Sequence, residues 1–244
     1  MSVVAIASKE LRLYFTSLLF YVLAAVFLVL AGYFFFTNLD FFVHFGGMNL
    51  PLGLWQYQFF DMRQLLLVLI PLLTMRLFAE EKRSGTIELL ATSPIRDSEI
   101  IIGKWLAALN LYACMLLFTA LNFAFLFKYG NPDWKPLAIG YLGLLLQAGG
   151  LLAIGTFIST LTRNQIIAGA ATFGVCLLLW VLEWISGYET ATWAQVLAYM
   201  SVITHFESFA KGVLDSKDAI FYLTVIFLGL FFTTRSMESL RWRS

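Results

Sequence analysis

The chain alternates long apolar stretches with short segments that are charged or rich in turn-forming residues. A transmembrane helix needs about 20 consecutive apolar residues, because each residue rises about 1.5 Å and the hydrocarbon core is about 30 Å thick. Six stretches meet this requirement. The predicted spans are residues 17–37, 60–78, 101–127, 137–161, 165–185 and 217–235. The pattern therefore predicts an all-α polytopic membrane protein in which residues 1–244 form a single transmembrane domain.

Residues 2–16, which precede the first span, have the pattern of an amphipathic helix. At about 100° per residue, apolar residues collect on one face and polar residues on the other. The polar face consists of Ser8, Lys9, Glu10, Arg12 and Thr16. Such a helix lies in the membrane plane with its apolar face in contact with membrane lipid. The alternative is that these residues are simply the start of span 1.

The segment between spans 2 and 3, residues 76–104, carries the densest charge in the chain. Because a charge at the membrane centre costs several kcal/mol or more, we expect this segment in water or at the interface. After a break at Gly85, residues 86–91 are predicted to form a short helix. Asp97 or Ser98 is predicted to cap the helix that follows. A short helix between two spans suits docking of a partner protein, and the alternative is a solvated connector.

Local signals also mark the ends of later helices. Residues 162–164, Thr-Arg-Asn, are predicted to form a tight turn between spans 4 and 5. Gly212 is expected to end a short helix in the region before span 6, since glycine tolerates the left-handed conformation that closes many helices. Asp215 or Ser216 is predicted to cap span 6.

Two stretches carry a resemblance to a known family. The sequence FAEEKRSGTIELLATSPIRDSEIIIGKWLA, residues 78–107, is similar to the intracellular loop of the permease subunits of ABC-2-type transporters. It is most similar to the gliding-motility-associated branch of that family. The sequence HFESFAKGVLDSKDAIFYL, His205–Leu223, resembles the segment before the last span in the same branch. Six spans with both termini inside are also the layout of that family.

The resemblance implies a separate ABC ATPase subunit, which binds ATP and Mg, and a second permease copy or a paralogue. It implies an ATPase-coupling element composed of Arg83, Ser84, Gly85, Thr86, Ile87, Glu88, Leu89 and Leu90. Closure of the ATPases would move this element, and spans 2 and 5 would separate or close at the dimer axis. Residues 186–217 would act as an outer gate, for which the candidate residues are His205, Phe206 and Glu207.

Composition supports a membrane protein and argues against other classes. The chain has 244 residues, of which 60% are hydrophobic and 13% are charged, whereas soluble domains carry about 25% charged residues. A net charge of +1 argues against a nucleic-acid partner, since binding nucleic acid needs a basic face. Cys114 and Cys176 lie inside apolar runs, which indicates packing thiols rather than a disulfide.

Lysine and arginine are distributed unequally between the two sides of the predicted topology. With the N-terminus inside, eleven of them lie on the inner side and five on the outer side. The positive-inside rule then predicts that both termini and residues 76–104 face the cytoplasm. The resemblance implies the bacterial inner membrane as the location.

The chain lacks the sequence pattern of a nucleotide site or an enzyme. A P-loop requires G-x-x-x-x-G-K-[ST], but Gly103-Lys104 is followed by Trp105 and lacks the upstream glycine. The two histidines, His44 and His205, lie in different regions, and no metal-ligand spacing is present. We therefore predict no catalytic residue, cofactor-binding residue or metal ligand in this chain, and the ATPase partner would supply the energy.

Polar and small residues inside the spans have two interpretations. Asn122 in span 3 and Gln147 in span 4 either form hydrogen bonds between helices, which we favour, or line a pathway. Ala170 and Gly174 in span 5, like the glycines of span 4, permit close packing within the chain or across a dimer. Because no polar cavity is evident, the substrate is expected to be amphipathic or polymeric. The alternative is a mechanical coupling protein that transmits ATP hydrolysis to extracytoplasmic partners and transports nothing.

Overall fold

Every regular element in the described part of the chain is an α-helix, which confirms the predicted fold class. The computed structural model describes residues 3–44, 53–86, 96–129, 133–188 and 199–241. Its helices are α1 (Val3–Thr16), α2 (Leu18–His44), α3 (Leu54–Thr74), α4 (Ala79–Ser84), α5 (Asp97–Tyr129), α6 (Trp134–Leu161), α7 (Gln165–Tyr188), α8 (Phe206–Ala210) and α9 (Ser216–Arg241). Six helical segments, those of α2, α3 with α4, α5, α6, α7 and α9, are long and apolar enough to cross a membrane.

Helix α6 lies at the centre of the bundle and packs against α3, α5, α7, α8 and α9. Small residues on α6 let these neighbours approach closely. A Cβ atom at Gly155 would stand 2.5 Å from the hydroxyl oxygen of Thr74, and one at Gly140 would stand 2.1 Å from the ring of Phe59. The span 4 glycines therefore serve close packing within the chain.

Apolar side chains form the interior of the bundle and also cover much of its outer surface. Large buried residues of the core include Phe27, Phe59, Leu66, Tyr112, Leu144 and Leu152. Outward-facing residues on α2, α7 and α9 are equally apolar: Val29 is 69% exposed, Ile166 is 78% exposed and Phe227 is 68% exposed. An apolar surface of this extent is typical of a chain surrounded by lipid or by another subunit.

Successive spans run in opposite directions, so α1 and the last turns of α9 lie at the same end of the bundle. Met237 of α9 packs with Leu77 and Ile100, and Thr160 donates a hydrogen bond to Ser236 (2.9 Å). We call this end the base; it comprises α1, α4, the first turns of α2 and α5 and the last turns of α3, α6 and α9. The opposite end, with α8 and the first turns of α6 and α9, is called the far end.

Several helices extend beyond the predicted spans, because a helix can continue past the length needed to cross a membrane. Helix α2 continues to His44 and α3 begins at Leu54, so much of the predicted loop between spans 1 and 2 is helical. A hydrogen bond from Asn38 to Asp61 (2.7 Å) joins the two extended helices. Helix α9 likewise continues to Arg241. Apolar length marks the part of a helix that needs lipid and says little about where the helix ends.

The predicted turn at residues 162–164, the helix end at Gly212 and the cap at Asp215 are confirmed. The chain breaks between α6 and α7 at residues 162–164, where Asn164 accepts a hydrogen bond from the amide of Ile166 (2.9 Å). Gly212 has a φ of 76°, in the left-handed region that closes a helix. The Asp215 carboxylate accepts a hydrogen bond from the amide of Lys217 (3.0 Å) and so caps α9.

Helix α1 is separate from span 1, because Ser17 interrupts the helix between α1 and α2. It packs along α5, where a Cβ at Gly103 would stand 2.8 Å from the side chain of Ile6. Glu10 lies on this packed side, and its side chain is only 13% exposed. One residue of the predicted polar face is therefore covered by α5, because helical periodicity does not show which polar position a second helix covers.

Candidate coupling site at the base of the bundle

The short helix α4 is attached at its first turn to the central helix α6. The hydroxyl of Ser159 on α6 accepts hydrogen bonds from the backbone amides of Phe78 and Ala79, both at 3.1 Å. The first amides of a helix have no partner within the helix, so Ser159 supplies the cap that α4 lacks locally. Lys82 also donates to the backbone carbonyl of Thr160. Helix α4 is therefore fixed to the end of α6 at two points.

A buried ionic triad joins α4 to α1 and α5. The ammonium of Lys104 on α5 lies 2.7 Å from a carboxylate oxygen of Glu81 on α4 and 3.0 Å from one of Glu10 on α1. The Lys104 side chain is only 3% exposed, and its ammonium lies 5.4 Å from the ring centre of Phe78. Removing one member of a buried ion pair is costly, because it leaves an uncompensated charge in the interior. The triad therefore joins the three helices through groups that cannot be removed one at a time without leaving a buried charge unpaired.

The triad contains two carboxylates and one ammonium, so it is not electrically balanced. The second carboxylate oxygen of Glu81 is shielded from solvent and has no hydrogen-bond partner among the described atoms. Tyr14 lies beside the triad and donates a hydrogen bond to the backbone carbonyl of Leu73 (3.2 Å). Burial and the nearby Glu10 carboxylate raise the pKa of Tyr14, so its hydroxyl remains a neutral donor.

The predicted coupling element begins where α4 ends. Gly85 closes α4 with a φ of 73°, and the four predicted coupling residues that the structure describes are all exposed: Arg83, Ser84, Gly85 and Thr86. The other four, Ile87, Glu88, Leu89 and Leu90, and most of the predicted 86–91 helix, lie outside the described residues. Helix α5 then begins at Asp97, where the carbonyl of Arg96 accepts the first hydrogen bonds, so Arg96 occupies the capping position that was predicted for Asp97 or Ser98. The pair between Glu81 and Lys104 thus closes the loop that contains the coupling element.

The three candidate gate residues lie at the far end, mostly inside the bundle. His205 is 2% exposed; its Nδ1 lies 2.7 Å from Asp218 of α9, and its Nε2 lies 2.9 Å from the carbonyl of Tyr199. Phe206 is fully buried. Glu207 is half-buried and pairs with Lys211 (3.3 Å). A gate built from these residues would have to move together with the helices on which they pack.

The combination of serine, histidine and aspartate at the far end does not form a hydrolase triad. Ser208 donates its hydroxyl hydrogen to Asp218, and His205 contacts the other oxygen of the same carboxylate. In a catalytic triad the histidine lies between the serine and the aspartate, so that it removes the serine proton. Here the aspartate lies in the middle, and the arrangement joins α8 to α9.

The candidate packing or pathway residues occupy two different environments. Gln147 is buried in α6 and its Oε1 has no hydrogen-bond partner in the described part of the chain. Asn122 on α5 is half-buried. Ala170 is exposed on α7, and a Cβ added at Gly174 would have no atom within 4 Å. The last two residues therefore lie on an outward face and do not pack within the chain.

Sequence reasoning missed the roles of Glu10 and Ser159 and did not connect Lys104 with either carboxylate. The stretch IIIGKWLA contained a usable signal, because a lysine among apolar residues needs a counter-ion. The sequence could not identify Glu10 as one of the partners of Lys104, because 94 residues separate the two residues in the chain.

The family of the chain follows from its similarity along almost its whole length. The family model described as "ABC-2 family transporter protein" matches residues 4–234. The chain belongs to the ABC-2 transporter family. The residues of this ABC-2 chain that match the family model form both the base and the far end of the bundle. The chain is thus a multi-pass permease-type membrane subunit of that family.

Two curated relatives share part of this ABC-2 chain. Proteins described as "Probable multidrug ABC transporter permease YbhR", from Escherichia coli (strain K12) and Escherichia coli O157:H7, are each 28% identical over 145 residues. The aligned region covers 55% of this chain and 37% of each relative. The chain therefore spans well under half the length of the curated relatives that it matches.

Proposed function

We propose that the protein is the permease subunit of an ATP-driven exporter that works with a separate ABC ATPase. The ATPase would bind ATP and Mg and dock on residues 83–90. The observation that carries this proposal is the triad of Glu10, Glu81 and Lys104, because it links the loop that contains the coupling element to two further helices. Family membership supports an ABC ATPase as the partner.

The contacts at the base suggest how movement would pass from the ATPase to the membrane helices. A force on residues 83–90 acts first on α4, which Ser159 fixes to α6. The triad passes the same force to α5 and α1 through Lys104. These attachments favour a coordinated tilt of α1, α5 and α6 over an independent movement of the loop.

A second permease copy or a paralogue would complete the transporter. The exposed Ala170 and the open space at Gly174 favour an approach of the partner along α7. Spans 2 and 5 would then separate or close at the dimer axis, and α8 with its neighbours would form the outer gate. Movement of the gate as a unit is favoured by the buried contacts of His205 and Phe206.

We infer that the cargo is amphipathic or polymeric. The name of the Escherichia coli relatives contains the word multidrug, which favours an amphipathic cargo. A second function is mechanical coupling to extracytoplasmic partners without transport. The resemblance to the gliding-motility-associated branch favours this alternative, and so does the tightly bonded far end, which suits transmission of force.

The proposed location is the bacterial inner membrane, with the base in the cytoplasm. The placement of α1 and the end of α9 at one end of the bundle supports termini on the same side. Cysteines introduced at positions 93 and 163 in a variant without Cys114 and Cys176 should be protected from an impermeant reagent in intact cells. Cysteines at position 133 should react, and labelling at position 93 from outside would contradict the orientation.

The docking proposal is tested by Leu89→Asp and Glu88→Arg in the complex with the ATPase. We expect normal insertion, because both positions lie in the charged segment outside the predicted spans, but loss of co-purification or of ATPase stimulation. Leu161→Asp is the matched control, since Leu161 is a 62% exposed leucine at the same end of the bundle. Full binding and stimulation by Leu89→Asp would show that residues 83–90 are only a connector.

A further inference from the structure

A cleft of about 290 Å³ lies at the base between α1, the first turns of α2, the last turn of α3 and α4. One part of its lining is apolar and includes Leu19, Leu23 and Leu72. The other part is charged and contains Glu10, Arg76 and Glu80. The apolar part belongs to the two spans, whereas the charged part belongs to α1, α4 and the turn between α3 and α4. The cleft therefore crosses the boundary between membrane interior and headgroup region, which suits an amphiphile with one chain and one polar head.

The charged part of the cleft has one cationic group with unused hydrogen-bonding capacity. The Nε of Arg76 is shielded from solvent and makes no hydrogen bond within the described part of the chain. The nearest paired oxygen, on Glu80, lies 3.9 Å away, beyond hydrogen-bonding distance. An arginine fork binds phosphate oxygens through two parallel hydrogen bonds. The Arg76 side chain is 37% exposed, so its guanidinium can turn toward the cleft and is suited to the phosphate of a lipid headgroup.

The carboxylates determine which headgroup fits beside that phosphate. Glu10 is already paired with Lys104 at 3.0 Å. Glu80 is 55% exposed, and its only described ionic contact is the long one to Arg76. If Arg76 binds a phosphate, the Glu80 carboxylate is available to pair with a cation. The primary ammonium of a headgroup would supply that cation. A headgroup with phosphate and no ammonium would instead place its negative charge beside two carboxylates.

We propose that this cleft binds one phospholipid with a phosphoethanolamine headgroup, with the phosphate on Arg76, the ammonium on Glu80 and an acyl chain along Leu19, Leu23 and Leu72. This site goes beyond the proposed transport function, because the lipid is a resident ligand whatever the cargo is. It lies directly against Glu10, so its occupancy supports the side of the triad that α1 provides.

The test measures the lipid retained by the purified full chain. The chain is incorporated into bilayers of equal parts phosphatidylethanolamine and phosphatidylglycerol with identical acyl chains, extracted in mild detergent and analysed by native mass spectrometry. We expect one retained phosphatidylethanolamine per chain, with at least fivefold preference over phosphatidylglycerol. Equal retention of both lipids, preference for phosphatidylglycerol, or retention of neither would overturn the proposal.

Two pairs of variants separate the headgroup from the acyl chain. Arg76→Gln should lower retention at least fivefold, whereas Arg12→Gln, at an exposed arginine on α1, should leave it unchanged. Leu23→Trp should fill the cleft and lower retention. Val29→Trp, at an exposed position on the same helix, should not. Wild-type retention by Arg76→Gln would refute a headgroup site and show acyl-chain binding only.

A third variant keeps the test decisive if Arg76→Gln fails to fold. Glu80→Gln changes a side chain that is 55% exposed, so we expect the fold to remain intact and the preference for phosphatidylethanolamine to disappear. If the folded Glu80→Gln variant still preferred phosphatidylethanolamine to the same extent, the ammonium would have no partner in the cleft. That result would overturn the assignment of the headgroup. None of these measurements involves the ATPase, so they do not depend on the docking of residues 83–90.

Discussion

Each end of the bundle carries a short helix that packs on α6, and a buried charged contact holds each of them, but the polar groups are satisfied to different degrees. At the far end, both ring nitrogens of His205 and both oxygens of Asp218 have partners. At the base, Lys104 serves two carboxylates, and one oxygen of Glu81 has no hydrogen-bond partner in the described part of the chain. A cleft also adjoins the base beside Glu10.

The difference suggests that the two ends have different mechanical roles. A fully satisfied buried network holds one arrangement, because any shift leaves polar groups without partners. At the far end, the amides of Gly212 and Val213 also bond back to the carbonyls of Phe209 and Ser208, which closes the end of α8. The incompletely satisfied triad at the base loses less on rearrangement. We infer that movement enters at the base and that the far end follows as a unit.

Removing the cation at the base should have the largest effect. Lys104→Met leaves Glu10 and Glu81 buried without a counter-charge, and we expect a loss of about 3–5 kcal/mol in the free energy of unfolding. Denaturant unfolding in mixed micelles measures this loss. Lys9→Met, at an exposed lysine of α1, is the control and should change stability by less than about 0.5 kcal/mol.

A variant in which all three triad residues are neutral would separate the effect of the triad on stability from its effect on ATPase coupling. Combining Lys104→Met with Glu10→Gln and Glu81→Gln should restore most of the lost stability, since replacing a whole buried ionic group is often nearly neutral. We expect stimulation of the ATPase to remain low, because the link between α4 and α5 is still weakened. Full stimulation by the triple variant would show that the triad stabilises the base without transmitting movement.

Removing the charge at the far end should have a smaller effect of a different kind. Asp218→Asn removes the charged acceptor from His205 and Ser208, and we expect a loss of about 1–3 kcal/mol in the free energy of unfolding. ATPase stimulation in the assembled complex should stay near wild type at a temperature where the variant is folded. A loss of stimulation as large as that caused by Lys104→Met would contradict the assignment of movement to the base.

Two glycine substitutions compare the stiffness of the two ends directly. A Cβ at Gly143 would stand 2.4 Å from the Cβ of Phe209 on α8, whereas one at Gly103 would stand 2.8 Å from the side chain of Ile6 on α1. Overpacking of a rigid site costs about 1–3 kcal/mol. We expect Gly143→Ala to lower the free energy of unfolding by an amount in that range. Gly103→Ala should lower it by less than about 1 kcal/mol. Equal losses of unfolding free energy would remove the distinction in stiffness.

Features that depend on neighbouring residues were predicted correctly from the sequence. The six spans follow from apolar length, and Asp215 and Gly212 mark helix ends because their chemistry acts on the adjacent backbone. The ends of several helices lie beyond the predicted spans. The extension of α2 to His44 depends on contacts such as that between Asn38 and Asp61, which join two helices.

The sequence by itself determined the fold class, the order of the spans and the position of the charged loop, because hydrophobic length and local backbone chemistry decide all three. Only the tertiary structure decided that Lys104 pairs with Glu10 and Glu81 and that Ser159 caps α4. A buried charge requires a partner but does not specify which one. The packing of α1 and α4 against α5 and α6 makes that choice, by bringing together groups up to 94 residues apart in the chain.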